Sequence, residues 1–239
     1  MIRVATLTIC YLRCLFRSLA GMVPPGLALA FGYIAFEYGM DQSQFIVVGG
    51  IGVGLICLVT TLLLTGQANR AWSYPMVARL RHREELLVAL MVGAILLTAI
   101  LAALITTANL LIDRLTLSFP SVCWVVPTWV AIWFLAATLG LMLSNLVSRR
   151  GFPLVAWVGL TGVLVANEQK MVLESAGYVW LARVISMVTW PVRTLLFQAS
   201  VLNHDRTYWL AFGLTLGYGL LLFLISAILF ARKDLLWAE

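Results

Sequence analysis

Charge is what this sequence has least of. Asp, Glu, Lys and Arg together make up 11% of its 239 residues, against about 25% in a soluble globular chain. Lysine occurs only at Lys170 and Lys233, and histidine only at His82 and His204. The four cysteines, Cys10, Cys14, Cys57 and Cys123, form no disulfide framework, and Cys57 and Cys123 sit inside apolar runs as small packing residues. Cys10 and Cys14 stand four apart, but both histidines are far from them in sequence, so no metal site is expected. Neither lysine closes a glycine-rich phosphate loop, and no Gly-x-Ser-x-Gly elbow, His-Glu-x-x-His helix or paired intramembrane aspartate occurs. The chain is therefore expected to have no catalytic residue, bind no cofactor or metal, and hydrolyse no ATP by itself.

What stands in place of charge is apolar surface. Hydrophobic residues make up 62% of the chain and its mean hydropathy is +1.00. A core surrounded by water has no use for so much apolar area, so the excess must face lipid. A soluble enzyme, a secreted disulfide-stapled module and a disordered tail are excluded. A nucleic-acid binder is excluded too, despite a pI near 9.5, because the basic excess sorts to one side of a membrane.

About 20 apolar residues cross roughly 30 Å of hydrocarbon. Five stretches reach this length: Ser18–Phe36, Phe45–Gly66, Leu86–Ile112, Val122–Val147 and Tyr208–Ala231. A shorter sixth runs over Phe152–Ala166 and extends to Asn167. None holds a charge in its interior, which argues against a proton-coupled carrier. The stretch from Tyr178 to Phe197 is apolar but broken by Arg183, Pro191 and Arg193. It fits an interfacial or re-entrant segment within Glu174–Arg206, with Trp180 and Trp190 at headgroup level. Six spans put both termini on one side, with eleven basic against four acidic residues (+7), and leave five against six (−1) on the other. The positive-inside rule makes the first side cytoplasmic. The chain thus reads as an all-α polytopic membrane protein forming one transmembrane domain over residues 1–239. Its first span is read as a retained helix, not a cleaved signal.

Before that span, Arg3, Thr6, Cys10, Arg13 and Arg17 recur in steps of three and four. They make one stripe of an amphipathic helix over residues 1–17. Ile2, Val4, Leu7, Ile9, Leu12, Leu15 and Phe16 supply its apolar side, suited to the inner headgroup boundary. Pro24 and Pro25 mark either the turn into the first span or a kink in it.

The connection between the second and third spans, residues 67–85, is the longest on the cytoplasmic side and carries Arg70, Arg79, Arg81 and Arg83. Proline suits a helix start, so a short helix is expected after Pro75. Met76, Val77 and Leu80, mixed with Arg79, Arg81, His82, Arg83, Glu84 and Glu85, would dock on a cytoplasmic partner. The alternative is that these arginines only fix orientation.

Within the spans, Gly50 and Gly54 in the second and Gly213 and Gly217 in the last stand four apart, followed by Gly219, a spacing that lets helices approach closely. Polar residues are few: Thr60, Thr61 and Thr65, then Thr98, Thr106, Thr107 and Asn109, then Thr128, Ser144 and Asn145. Most are expected to bond to their own helix. A path lined so weakly suits an amphiphilic or lipid-like substrate better than a bare ion.

The amphipathic start, six spans, the basic loop after the second and the segment before the last together resemble the membrane subunit of type-2 ABC transporters. Tyr74-Pro-Met-Val-Ala-Arg79 is similar to that family's Pro-x-Ser-Arg-like run, and Phe230-Ala-Arg-Lys-Asp-Leu235 is similar to its C-terminal ending. Gln67-Ala-Asn-Arg70 stands where the family has a Glu…Gly-Thr segment. The resemblance implies a permease of the bacterial cytoplasmic (inner) membrane. It would pair with a second copy or a homologous permease and be driven by two ATP-binding cassette ATPase subunits that grip Met76–Glu85 as a coupling helix. It also implies an exporter, with residues 174–206 as an outer gate. The reading from a different class is a membrane scaffold or assembly subunit that transports nothing and recruits a cytoplasmic partner.

Overall fold

Long apolar runs without charge have one way to satisfy their backbone in lipid, which is to close every N–H···O=C bond within a helix. The computed structural model describes residues 2–38, 40–69, 84–112, 119–147, 179–203 and 205–232, and every element among them is helical. In chain order these are α1 (Ile2–Phe16), a 3₁₀ turn (Leu19–Met22), α2 (Val23–Tyr38), α3 (Gln42–Ala68), α4 (Glu84–Leu111), α5 (Phe119–Leu143), α6 (Val179–Ser200) and α7 (Arg206–Arg232). Among the described residues, five stretches are long and apolar enough to cross a membrane: Leu19–Glu37, Gln42–Ala68, Glu84–Leu111, Trp124–Leu143 and Arg206–Ala231. They coincide with the five long runs read from sequence. The sixth span expected at 152–167 lies outside the described residues.

Helix association in lipid depends on close packing, since lipid tails are as apolar as leucine. At the centre α3 packs against α5, and its glycines take the large side chains of that helix. A Cβ on Gly49 would stand 2.9 Å from the Trp129 ring, and one on Gly54 would stand 3.0 Å from Ile132. In return Gly140 of α5 admits Thr61 of α3, at 2.8 Å from where its Cβ would be. Because Gly50 has no side chain, the Trp129 indole N–H reaches the Ile46 carbonyl at 3.2 Å. α7 then packs on α5, with Phe134 seated over Gly219, and α4 packs on α3. α2 joins from outside, Phe31 lying over Gly52 and Gly32 beside Ile105.

The bundle has two ends. At one, Gln42 donates to Ser121 at 2.7 Å and the turn between α6 and α7 is found; this is the hairpin end. At the other, α3 finishes and α4 begins; this is the loop end.

α6 is one helix over 22 residues with Pro191 inside it. It is not among the helices apolar enough to span. Pro191, Leu195, Leu196 and Ala199 are buried, whereas Trp180, Arg183, Met187, Trp190 and Arg193 are exposed. The helix ends with Leu202 in the left-handed region (φ 56°) and with the Asn203 N–H on the Gln198 carbonyl at 3.0 Å. This is the bond pattern that usually places glycine at a helix end.

Candidate functional site

Of the residues expected to couple the chain to a partner, Met76, Val77, Arg79, Leu80, Arg81, His82 and Arg83 lie outside the described residues. Glu84 and Glu85 are described and form the first turn of α4. Carboxylates there face the positive end of the helix dipole. Glu84 is exposed. Glu85 is half-buried, and its Oε2 is closed off from solvent without a hydrogen-bond partner among the described residues.

The structure therefore gives the stems of the loop, and both stems are held by α1 and the turn after it. Leu7, Tyr11 and Leu15, one turn apart, are buried against the bundle together with Thr8. The Thr8 hydroxyl lies 2.9 Å from the Val4 carbonyl of its own helix and 3.1 Å from the Ala89 carbonyl of α4. Gly93, one turn further along α4, leaves room for Thr8, Leu12 and Leu64, whose nearest atoms stand 3.4, 3.8 and 3.6 Å from a Cβ position there. Where α1 ends, Ser18 donates to the Leu15 carbonyl at 2.7 Å and accepts from the Gln67 side chain of α3 at 3.2 Å. Gly21 closes this corner: its N–H bonds the Ser18 carbonyl, and any Cβ would fall on the Leu15 carbonyl oxygen.

These contacts also fix how α1 runs. Thr8 sits at the level of Leu64 in α3, and Ser18 at the level of Gln67. Ten residues of chain, about 15 Å as helix, thus advance only some 4–5 Å along α3. α1 crosses the end of the bundle; it does not continue a span.

The apolar residues assigned to one side of α1 by sequence divide in two. Leu7 and Leu15 face the bundle, but Ile9 and Phe16 point away and are 52% and 54% exposed. Arg3, Thr6, Arg13 and Arg17 are exposed as the stripe predicts, and Cys10 is half-buried. Burial pushes the Cys10 thiol above its ordinary value, and the neighbouring Cys14 adds to this. Cys10 is therefore protonated at neutral pH, unlike a reactive or metal-binding thiolate. Among the described residues no group of three His, Cys, Asp or Glu converges.

Beside the α3 stem a cavity of about 350 Å³ opens between two helix ends. Thr65, Gly66 and Asn69 line it from α3, and Leu143, Ser144 and Asn145 line it from the end of α5. Within the spans, Thr60, Thr61, Thr106, Thr107 and Thr128 each donate to the carbonyl four residues earlier. Thr98 departs from this habit. Its buried hydroxyl lies beside the Cys57 thiol and not on its own helix, and the buried Trp133 indole N–H has no hydrogen-bond partner among the described residues.

The hairpin end carries a feature that sequence reading missed. The Thr128 hydroxyl and the Tyr208 hydroxyl share a 3.0 Å hydrogen bond. Around it Tyr208 meets Trp124 edge-on at 6.0 Å and stacks on Phe212 at 6.2 Å, while Trp209 meets all three rings. Tyr208, Trp209 and Phe212 were visible as neighbours in sequence, but Trp124 and Thr128 lie some eighty residues away. Compared with family models, with curated proteins and with solved structures, the chain finds no match.

Proposed function

We propose that this chain is the permease subunit of an ATP-driven transporter of the type-2 ABC kind, exporting an amphiphilic or lipid-like substrate. In this reading six helices span a bacterial inner membrane, with both termini and the 67–85 loop in the cytoplasm. α1 lies at the inner interface, and residues 174–206 form an outer interfacial or re-entrant gate. A second permease copy or a homologue completes the path, and two ATPase subunits engage Met76–Glu85. Hydrolysis belongs to those partners.

The observation that carries the reading is the hold of α1 and the turn after it on both loop stems, through Thr8 on Ala89 and Ser18 on Gln67. A force applied to residues 70–83 is then delivered to α1, α3 and α4 together, which is what a motor acting from below requires. The charge sorting and the resemblance of Tyr74–Arg79 point the same way.

Arg79→Glu with Arg83→Glu should abolish co-purification with the ATPase while membrane insertion stays intact. Unchanged co-purification would overturn the assignment.

One observation favours the second reading, a scaffold or assembly subunit. The side chains buried between α3, α4 and α5 carry no charge, and most of their hydroxyls are spent on their own helices. A scaffold would use the same loop to recruit its partner, but its complex would show no ATPase activity responsive to an amphiphilic substrate.

A further inference from the structure

The three faces of α1 point to a lipid ligand. We propose that α1 binds anionic phospholipid of the leaflet at the loop end, its arginines taking the phosphate groups and Ile9 and Phe16 lying among the upper acyl carbons.

The helix positions divide as follows. Leu7, Thr8, Tyr11 and Leu15 occupy the arc buried on α3 and α4. Ile9 and Phe16 lie on the opposite side and are exposed. Of the two flanks between these arcs, one carries Ala5 and Leu12, and Leu12 reaches toward Gly93, well inside α4. The other flank carries Arg3, Arg13 and Arg17, all exposed. The arginines thus lie on the flank opposite Leu12, which in the proposed setting turns them toward the headgroups. A helix with one basic flank beside one exposed apolar face, set crosswise to the spans, is built to lie in the boundary layer.

Charge decides the class of lipid. No acidic residue precedes Glu37 in the sequence, and no carboxylate among the described residues pairs with the three arginines. Among the described residues their charge has no carboxylate to meet it, and guanidinium groups match phosphate oxygens in shape as well as sign. The binding itself requires only that the chain is in a membrane. Its consequence for coupling rests on the transporter reading: lipid that fixes α1 also fixes Ala89 and Gln67, and with them the geometry in which the loop meets its motor.

Native mass spectrometry of the full chain, with no ATPase present, tests the binding by titrating phosphatidylglycerol and phosphatidylcholine separately. The wild type should hold the anionic lipid more tightly. Arg3→Gln, Arg13→Gln and Arg17→Gln together should weaken it on the order of a hundredfold, from roughly fivefold per arginine near an anionic surface. The matching Lys triple should keep the preference, since charge is retained.

Hydrogen exchange of wild-type α1 amides provides a measurement that needs no variant to fold. Exchange should be slower in vesicles of equal phosphatidylcholine and phosphatidylglycerol than in phosphatidylcholine alone. Equal exchange in the two vesicles, an unchanged affinity in the Gln triple, or displacement of the lipid by inorganic phosphate would each overturn the proposal. Because no ATPase enters either measurement, loss of the co-purification result above would leave this one standing, and the reverse.

Discussion

α3 and α7 carry the same glycine spacing and use it in opposite ways. In α3 the notches at Gly49, Gly50 and Gly54 are filled by Trp129, Leu196 and Ile132. In α7 a Cβ on Gly213 or Gly217 would meet nothing within 4 Å, and both residues are exposed. Only Gly219, on the other face of α7, receives a partner, Phe134. Spacing permits close approach, but what lies across from it decides whether approach occurs. α3 is central, in contact with α5, α4, α6, α2 and α1, so its small residues meet neighbours on several sides. α7 packs mainly on α5 and α6 and turns the rest of its surface outward.

Substitutions should reproduce that ranking. Gly50→Leu should do the greatest damage. It drives into Leu196 and the Trp129 ring, and removes the approach that lets the indole N–H reach Ile46. Overpacking together with one lost buried hydrogen bond predicts a loss of about 3–4 kcal/mol, read as unfolding in a graded detergent titration. Gly219→Ala should cost about 1–2 kcal/mol, because only the Phe134 ring must yield. Gly213→Ala and Gly217→Ala should be neutral, or should stabilise by up to about 1 kcal/mol each through helix propensity. If the α7 pair proved as damaging as Gly50→Leu, the contrast between the two helices would collapse.

The helices were legible because hydropathy and length alone decide whether a segment spans. Phe45–Gly66 became Gln42–Ala68, and Leu86–Ile112 became Glu84–Leu111. The differences are polar end residues such as Gln42, Glu84 and Arg206, which hydropathy leaves out but which complete the outer turns. Side-chain partnerships were not legible. Thr8 meets Ala89 across 81 residues, and Gln67 meets Ser18 across 49; no local pattern encodes such pairs. The division of α1's apolar face was closer to hand. Leu7, Tyr11 and Leu15 recur at single turns, and that narrow stripe separates the protein-facing residues from Ile9 and Phe16. Of the coupling residues, sequence placed Glu84 and Glu85 in the 67–85 connection, but they lie in the first turn of α4, because hydropathy alone does not count polar residues into a helix start. The outcome for Met76–Arg83 belongs to the experiment with the ATPase.

The corner between α1 and α2 has a consequence for solvation. A helix start ordinarily leaves several N–H groups needing water or a cap, and inside a bilayer neither is at hand. Here the N–H groups of positions 24 and 25 do not exist, because both residues are proline, and that of Val23 is taken by the Ala20 carbonyl of the 3₁₀ turn. The chain changes direction with few donors left to hydrate, and Pro24 is itself buried. Such a corner can sink below the headgroups without dragging water in with it, so the bend itself sets no limit on how deep α1 lies.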